Sequence, residues 1–255
     1  MAYSHSSQVN KSRARGLFIT LHGSGVDVLI GLGSTFAALA LYLRTLAPGL
    51  LPGDAGEFQF TAPTLGLPHP TGYPLYTILG WVWSHLIPYR DYAWRMNAFS
   101  ALWGAAAVGF LYVAATRSLG AALLSSEERA AAPLRLAAIL TAFAFAASPT
   151  FWSQAVLAEV YTLHATFVAL ILLLTLRCGE RKTASLLPLA AAVGLSLAHH
   201  RTTILLLPGV VIYLLGTRVA WPASPRGWVT LILALALPLL LYLYVPWSGA
   251  RAGYL

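Results

Sequence analysis

Two carboxylates three residues apart mark the first stretch of this chain that could do chemistry. Asp54 and Glu57 lie in GDAGEF, directly after an apolar run, and are two of only eight acidic residues in the 255-residue sequence. On a helix this spacing places both carboxylates on one face. A carboxylate beside a membrane and close to a second one gains proton affinity, which suits a general base. The alternative is structural, because Asp54 could cap a helix with Glu57 as its N3 partner.

Two further segments in the same part of the chain could contact a ligand. His69 and Tyr73 lie in HPTGYP, whose prolines and glycine predict a rigid turn. The turn could shape a substrate site, with Tyr73 stacking on a sugar or lining a lipid groove, or it could be a plain loop. Arg95 precedes an apolar run, so it could contact an anion or only extend its charge away from the membrane.

Two later segments place ionisable groups at the boundaries of apolar runs. Glu159 is a functional candidate, because an unpaired charge in such a context is costly, although it could also be the partner of an arginine. His200 and Arg201, in AHHRT, could bind phosphate through charge-assisted hydrogen bonds or form a polar connector. A metal site here is a weaker alternative, because adjacent histidines on a helix point about 100° apart.

The composition excludes a water-soluble domain. Charged residues make up 9% of the chain, against about 25% in soluble domains, and the mean hydropathy is +0.70. Seven charge-free runs of 16 to 24 residues are near the length of a membrane-spanning helix. They are 28–43, 96–116, 136–158, 160–176, 183–200, 202–217 and 227–250. We therefore predict an all-α, polytopic membrane protein with about seven spans, although the first run could instead be a cleaved signal peptide.

The distribution of arginine and lysine predicts the orientation. With 1–25 as a cytoplasmic segment, 11 of the 16 cations fall on the cytoplasmic side and five on the outer side. This holds only if the 13-residue segment 75–87 is interfacial or re-entrant rather than spanning. One membrane domain, 1–255, then has a first outer loop at 45–94 and its remaining helices at 95–247. Because the positive charge is scattered between spans, no nucleic-acid partner is predicted.

The order of several motifs resembles one family of membrane enzymes. These motifs are GDAGEF, TLGLPHPTGYPLYTILG, AWRMNAFSALWGA, SPTFWSQAVLAEVYTLH, GLSLAHHRT and LYLYVPW, which together extend over about 30–247. The family was once described only as a domain of unknown function and includes the animal endoplasmic-reticulum O-mannosyltransferase that acts on plexin-type receptors. More distantly, the chain is similar to protein O-mannosyltransferases and the lipid A aminoarabinose transferase, all of the C-type glycosyltransferase superfamily.

The resemblance implies transfer of a sugar, such as mannose, from a polyprenyl-phosphate donor to a protein or lipid hydroxyl at the outer or lumenal face. Asp54 and Glu57 match the family's acidic motif, Glu159 matches a second acidic position, and His200 with Arg201 match the end of a later span. We expect inversion, with an acidic residue as base. The donor is a substrate, so no cofactor is expected, although a divalent metal is not excluded.

Three alternatives to this enzyme remain open from the sequence. Family members continue well beyond the YLYVP segment, so the chain is C-terminally short and could be a fragment or a non-catalytic remnant. A transporter or lipid-binding membrane protein is another candidate, although no internal repeat supports it. The composition, rich in alanine, leucine and arginine, favours a bacterial inner membrane over the endoplasmic reticulum, with the active site on the periplasmic side.

Overall fold

The computed structural model describes residues 25–122, 131–181 and 184–252. Within these ranges the chain forms helices and no strand, which confirms the predicted all-α class. The helices are α1 (Gly25–Arg44), α2 (Gly53–Thr64), α3 (Pro74–Leu86), α4 (Tyr92–Ala122), α5 (Ala131–Ala146), α6 (Pro149–Ala155), α7 (Tyr161–Glu180), α8 (Leu187–His199), α9 (Leu207–Thr217), α10 (Pro225–Ala236) and α11 (Tyr244–Ala252). Two 3₁₀ segments, Arg201–Leu206 and Leu237–Leu243, lead into α9 and α11.

Helix α4 is the centre of the bundle and packs against α1, α5 and α7. Small residues allow the close approach of α1 to α4, as expected where lipid supplies no hydrophobic drive between helices. A Cβ at Gly109 would lie 2.0 Å from Thr35 Oγ1 and 3.0 Å from the Gly31 carbonyl oxygen. A side chain at position 109 would therefore displace the Thr35 hydroxyl and press against the backbone of α1 at Gly31.

Four helical stretches are long and apolar enough to cross a membrane, or five if one bent pair is a single span. The four are Gly25–Arg44, Tyr92–Gly120, Tyr161–Glu180 and Pro225–Arg251. The predicted count of seven is therefore not confirmed. The apolar helices Leu187–His199 and Arg201–Thr217 are shorter, because the AHHRT segment breaks the helical path between them.

The predicted span 136–158 is wrong as one continuous helix. The segment is divided between two helices, Ala132–Ala146 and Pro149–Ala155, whose axes are bent by 67° relative to one another. The physical cause is Pro149, because the residue before a proline is pushed out of the α region. Ser148 indeed has extended dihedrals, φ −61° and ψ 134°. The chain then leaves the helix before Glu159.

The two ends of the bundle differ in character. At one end α2, α3 and the connections around residues 156–160 and 200 lie together; we call this the site end. At the other end, ion pairs join Arg135 to Asp27, 2.7 Å apart, and Arg117 to Glu180. Six described arginines are at that opposite end: Arg117, Arg135, Arg177, Arg181, Arg218 and Arg226.

Five described arginines are at the site end, as predicted: Arg44, Arg90, Arg95, Arg201 and Arg251. The predicted excess of positive charge at the opposite end depends on five other cations. Lys11, Arg13, Arg15, Arg129 and Lys182 lie outside the described residues, as does most of segment 1–25. The orientation in the membrane therefore stays a prediction.

A buried pair of amides holds the site end together. Asn97 is fully buried, and its Oδ1 accepts hydrogen bonds from Gln59 Nε2 at 2.8 Å and from the Ala158 backbone N–H at 2.9 Å. Its Nδ2 donates to the Ala47 carbonyl oxygen at 2.8 Å. Gln59 Nε2 also donates to the Gly49 carbonyl oxygen at 3.1 Å. These bonds fix the first outer loop, α2 and the connection before Glu159 against α4.

We expect Asn97→Leu to lower the stability of the bundle. The change removes the partner of the buried Ala158 N–H and of the half-buried Ala47 carbonyl, at a cost of about 1–3 kcal/mol for a buried group left unsatisfied. Thermal unfolding of the purified protein in nanodiscs should show a midpoint several degrees lower. Ser153→Ala is the matched control, because Ser153 is exposed and bonds only to Thr150 of its own helix. An unchanged midpoint for Asn97→Leu would show that the network adds no stability.

Candidate active site

The Glu57 carboxylate is held by His69, which lies 12 residues later in the loop between α2 and α3. The His69 backbone N–H donates to Glu57 Oε1 at 2.8 Å, and Nδ1 lies 2.5 Å from Oε2. The capping-box alternative is therefore wrong. Helix α2 has Pro52 at its N-cap without a side-chain cap bond, and Glu57 turns towards the loop instead. Both Glu57 oxygens are already engaged.

Asp54 lies beside this pair but is chemically different from Glu57. Its side chain is exposed, and no hydrogen bond or ion pair engages it among the described residues. One ligand atom from each of Asp54, Glu57 and His69 lies within 4.8 Å of the other two, a spacing that could hold a divalent cation. The Glu57 carboxylate is already satisfied by its hydrogen bonds to His69. These contacts do not test whether an ion binds, and the predicted absence of a cofactor stays a prediction.

The turn after His69 brings an aromatic surface to the carboxylates. Gly72 has φ +82°, and its N–H donates to the His69 carbonyl oxygen at 2.9 Å, so the predicted tight turn is confirmed. Tyr73 follows, and Pro74 begins α3. The Tyr73 ring lies 5.5 Å from the His69 ring and 5.9 Å from the His200 ring. Tyr73 therefore joins the groups of the first outer loop to those of the AHHRT segment.

Glu159 lies in the connection between α6 and α7, where its backbone is fixed to α4. Ser100 Oγ accepts a bond from the Glu159 N–H at 3.0 Å and donates to its carbonyl oxygen at 3.1 Å. Burial and the nearby negative charge of Asp54 raise the pKa of Glu159 to about 7. Burial, together with the charges of Asp54 and Glu159, also raises the pKa of Tyr73. The two carboxylates and Tyr73 are thus close enough to influence one another.

A cluster of histidines lies on the other side of Tyr73. His199 is fully buried, and its Nε2–H donates to the Val160 carbonyl oxygen at 2.9 Å. His200 is only half-buried, and its ring stacks on that of His164 at 4.5 Å. Thr202 Oγ1 lies between them, 3.1 Å from His164 Nε2 and 2.7 Å from His200 Nδ1. His199 is therefore structural, whereas His200 faces the open part of the site end.

Arg201 is an exposed cation beside His200. Its guanidinium carbon lies 5.9 Å from the centre of the Tyr242 ring, and the Tyr242 hydroxyl donates to the Leu197 carbonyl oxygen at 3.2 Å. No carboxylate pairs with Arg201 among the described residues. Its charge therefore remains available to an anion at the site end.

The Arg95 guanidinium group donates its hydrogen bonds to backbone carbonyl oxygens. Its Nε, Nη1 and Nη2 donate to the carbonyl oxygens of Tyr89, Ser84 and Arg90, at 3.1, 2.7 and 2.7 Å. These carbonyls belong to the last turn of α3 and the loop after it, so Arg95 holds that connection in place. The described contacts of Arg95 do not include the Asp54, Glu57 or His69 side chains, and its predicted contact with a donor phosphate stays a prediction.

Sequence patterns alone did not identify several groups at the site. His164 and Thr202, which hold His200, and the amides Gln59 and Asn97, which fix the loops, were not predicted to contribute. A signal was present, because Asn97 and His164 are polar residues in otherwise apolar stretches, where an unpaired group is costly. Their partners are 38 residues away in both cases, which no local pattern reports.

Comparison with known proteins gives a consistent result. The chain matches the family model described as "Protein O-mannosyl-transferase TMEM260 N-terminal domain" over residues 54–221. It is 31% identical over 250 residues to the mouse "Protein O-mannosyl-transferase TMEM260", covering 90% of this chain and 33% of the mouse protein. It is 32% identical over 136 residues to a Dictyostelium discoideum protein with the same description, covering 52% of this chain and 15% of that protein. No solved structure matches the chain.

Proposed function

The chain belongs to the TMEM260 family of protein O-mannosyl-transferases, and we propose that its site end transfers a sugar, mannose or similar, from a polyprenyl-phosphate donor to a protein hydroxyl. The chain spans about a third of the length of the mouse relative. The single observation that carries the proposal is the meeting of three separate segments around Tyr73. The His69 ring and the charges of Asp54 and Glu159 act on Tyr73, and the His200 ring lies 5.9 Å from it, with Arg201 as the next residue.

The different surroundings of the carboxylates support different roles. Asp54 is exposed and free of hydrogen bonds among the described residues, so we assign it as the general base for the acceptor hydroxyl. Glu57 is occupied by His69, so we assign it to orientation of the turn that carries Tyr73. This separates two residues that the sequence could not distinguish.

The donor is proposed to lie across Tyr73 with its phosphate towards His200 and Arg201. The acceptor oxygen then loses its proton to Asp54, attacks the anomeric carbon, and breaks the bond to the phosphate oxygen. Polyprenyl phosphate leaves with the bonding electrons, and direct displacement inverts the anomeric centre. A cation and an N–H donor beside the phosphate stabilise the charge that develops there, which is commonly a large part of catalysis.

The membrane context of the site remains part of the proposal. The charge pattern favours the outer or periplasmic face for the site end, and the apolar helices indicate a multi-pass membrane protein. The relatives from mouse and Dictyostelium are eukaryotic, so the predicted bacterial inner membrane over the endoplasmic reticulum stays a prediction. A lipid acceptor is the alternative to a protein one.

Donor binding tests the proposed contact between Arg201 and the phosphate of the donor. We expect the chain in nanodiscs to bind polyprenyl-phosphate mannose saturably and Arg201→Ala to weaken binding at least tenfold, because a charge-assisted contact to the phosphate is lost. Titration with a tritiated donor measures the dissociation constant. Arg226→Ala removes an exposed cation from the opposite end and should bind like the unchanged chain. Equal weakening by both variants, or no binding by a folded chain, would contradict the proposed donor site.

A further inference from the structure

The hydroxyl of Thr202 connects His200, which contacts the donor phosphate in the proposed function, to His164, which has no role in it. Its Oγ1 lies 2.7 Å from His200 Nδ1 and 3.1 Å from His164 Nε2. A hydroxyl has one hydrogen to donate and lone pairs with which to accept. Thr202 Oγ1 can therefore donate to one imidazole nitrogen and accept from the other, or accept from both. The direction decides which nitrogen of His200 carries the ring proton.

The contacts at His200 fix the direction of this chain. The backbone N–H of Thr202 also points at His200 Nδ1, over 3.4 Å. A backbone N–H can only donate, so Nδ1 must hold a lone pair, and the Thr202 hydroxyl donates its hydrogen to the same atom. The proton of the neutral ring is then on Nε2. Burial lowers the pKa of His200, which keeps the ring neutral at pH 7.

The contacts at His164 agree with this direction. His164 Nδ1 is buried and has no hydrogen-bond partner among the described residues. A proton on Nδ1 would create an unsatisfied buried N–H, and Nε2 would then present a lone pair to an oxygen whose hydrogen is already used. A proton on Nε2 avoids both costs, because Nε2–H donates to Thr202 Oγ1.

We propose that Thr202 is a positioning residue that holds His200 as an Nε2–H donor for the phosphate of the lipid-linked sugar. The inference rests on the proposed function, in which His200 contacts that phosphate. No hydrogen bond among the described residues engages His200 Nε2, so this N–H is free to donate. The opposite tautomer would present a lone pair, which repels an anion. Thr202 thus determines whether His200 attracts or opposes the donor.

The surrounding turn allows this role to be tested without unfolding the site. Thr202 is exposed, and the turn is held independently by Ser196 Oγ and Thr203 Oγ1 at 2.6 Å and by the His200 N–H on the Ser196 carbonyl oxygen at 2.7 Å. Replacement of the hydroxyl by a methyl group in Thr202→Val keeps the shape of the side chain. Thr202→Ser keeps the hydroxyl.

Two measurements on the full chain in nanodiscs test the inference. Nitrogen NMR of the ¹⁵N-histidine-labelled protein reports the tautomer, with the His200 signals assigned from their absence in His200→Gln. We expect the Nε2–H form in the unchanged chain and in Thr202→Ser. In Thr202→Val only the long backbone N–H contact of 3.4 Å still favours a lone pair on Nδ1, so we expect a partial shift towards the Nδ1–H form. The dissociation constant for polyprenyl-phosphate mannose should rise about tenfold in Thr202→Val and return towards normal in Thr202→Ser.

The outcomes separate this inference from the proposed function. An Nδ1–H tautomer in the unchanged chain would overturn the positioning role, whatever the donor does. Equal binding by Thr202→Val and the unchanged chain would also overturn it, provided that the unchanged chain binds. An Nε2–H tautomer that persists undiminished in Thr202→Val would likewise overturn it. If the unchanged chain does not bind the donor but the tautomer shifts in Thr202→Val and is restored in Thr202→Ser, the proposed function fails, whereas the tautomer control by Thr202 stands.

Discussion

Asp54→Asn should abolish sugar transfer while the protein still folds and inserts. The amide cannot accept the proton of the acceptor hydroxyl, and loss of a general base typically lowers the rate by about 10²–10⁴-fold. Little structural disturbance is expected, because Asp54 is exposed and makes no hydrogen bond among the described residues. The measurement is release of polyprenyl phosphate per protein molecule at saturating donor and acceptor.

Asp91→Asn is the matched control for this prediction. Asp91 is another exposed carboxylate of the first outer loop, and its Oδ1 accepts the Trp94 N–H at 2.8 Å. Asparagine also serves as a helix cap, so the control keeps this contact and removes the same charge. If Asp54→Asn turns over within a few-fold of the unchanged chain, Asp54 is not the base and Glu57 becomes the candidate.

Glu159 should make donor binding depend on pH around neutrality. Its pKa of about 7 means that the carboxyl group is mainly neutral below pH 7 and mainly negative above it. The donor phosphodiester carries one negative charge across this range, so it is repelled only by the ionised form. We expect the dissociation constant to rise about fivefold between pH 6 and pH 8, if bound donor raises this pKa by one further unit.

Glu159→Gln identifies the source of that dependence. Glutamine stays neutral, so the dissociation constant should be flat across pH 6–8 and remain near the low-pH value of the unchanged chain. Asp91→Asn should retain the full dependence, because Asp91 is an exposed carboxylate of the first outer loop, whereas Glu159 lies in the connection between α6 and α7. A steep pH profile that survives in Glu159→Gln would assign the titration to another group, and the raised pKa of Glu159 would then have no part in binding.

The sequence predicts the general character of the molecule because the membrane imposes strong constraints on composition. Apolar runs and scattered charge are sufficient to predict an all-helical membrane protein. The number of spans is harder, since run length ignores backbone breaks. Pro149 bends one predicted span by 67°, and His200 ends helix α8 after 13 residues. Both breaks are local effects of single residues within otherwise uniform apolar sequence.

The site was predictable by residue type but not by pairing. Asp54 and Glu159 are two of only eight acidic residues, and the fold brings their segments to the same end of the bundle as Tyr73 and Arg201. Their individual roles depend on partners that lie far apart in sequence. Glu57 is engaged by His69, 12 residues later in the chain, and the i,i+3 spacing of the carboxylates gives no sign of this contact.

Arg95 shows the limit of reasoning from position alone. An arginine at the start of a span can bind an anion, extend into solvent or donate hydrogen bonds to backbone carbonyls. The structure shows three carbonyl partners from the end of α3 and its following loop. Likewise, the histidines at 199 and 200 look equivalent in the sequence, but one is fully buried on the Val160 carbonyl and the other is half-exposed.

The most direct test of the account is transfer by the 255-residue chain itself. The purified protein in nanodiscs would be incubated with polyprenyl phosphate carrying radiolabelled mannose and a peptide rich in serine and threonine. The account predicts label on the peptide in equal amount to the polyprenyl phosphate released, with the anomeric configuration opposite to that of the donor. A folded chain that binds donor but neither labels the peptide nor releases polyprenyl phosphate would contradict it and identify a non-catalytic member of the family.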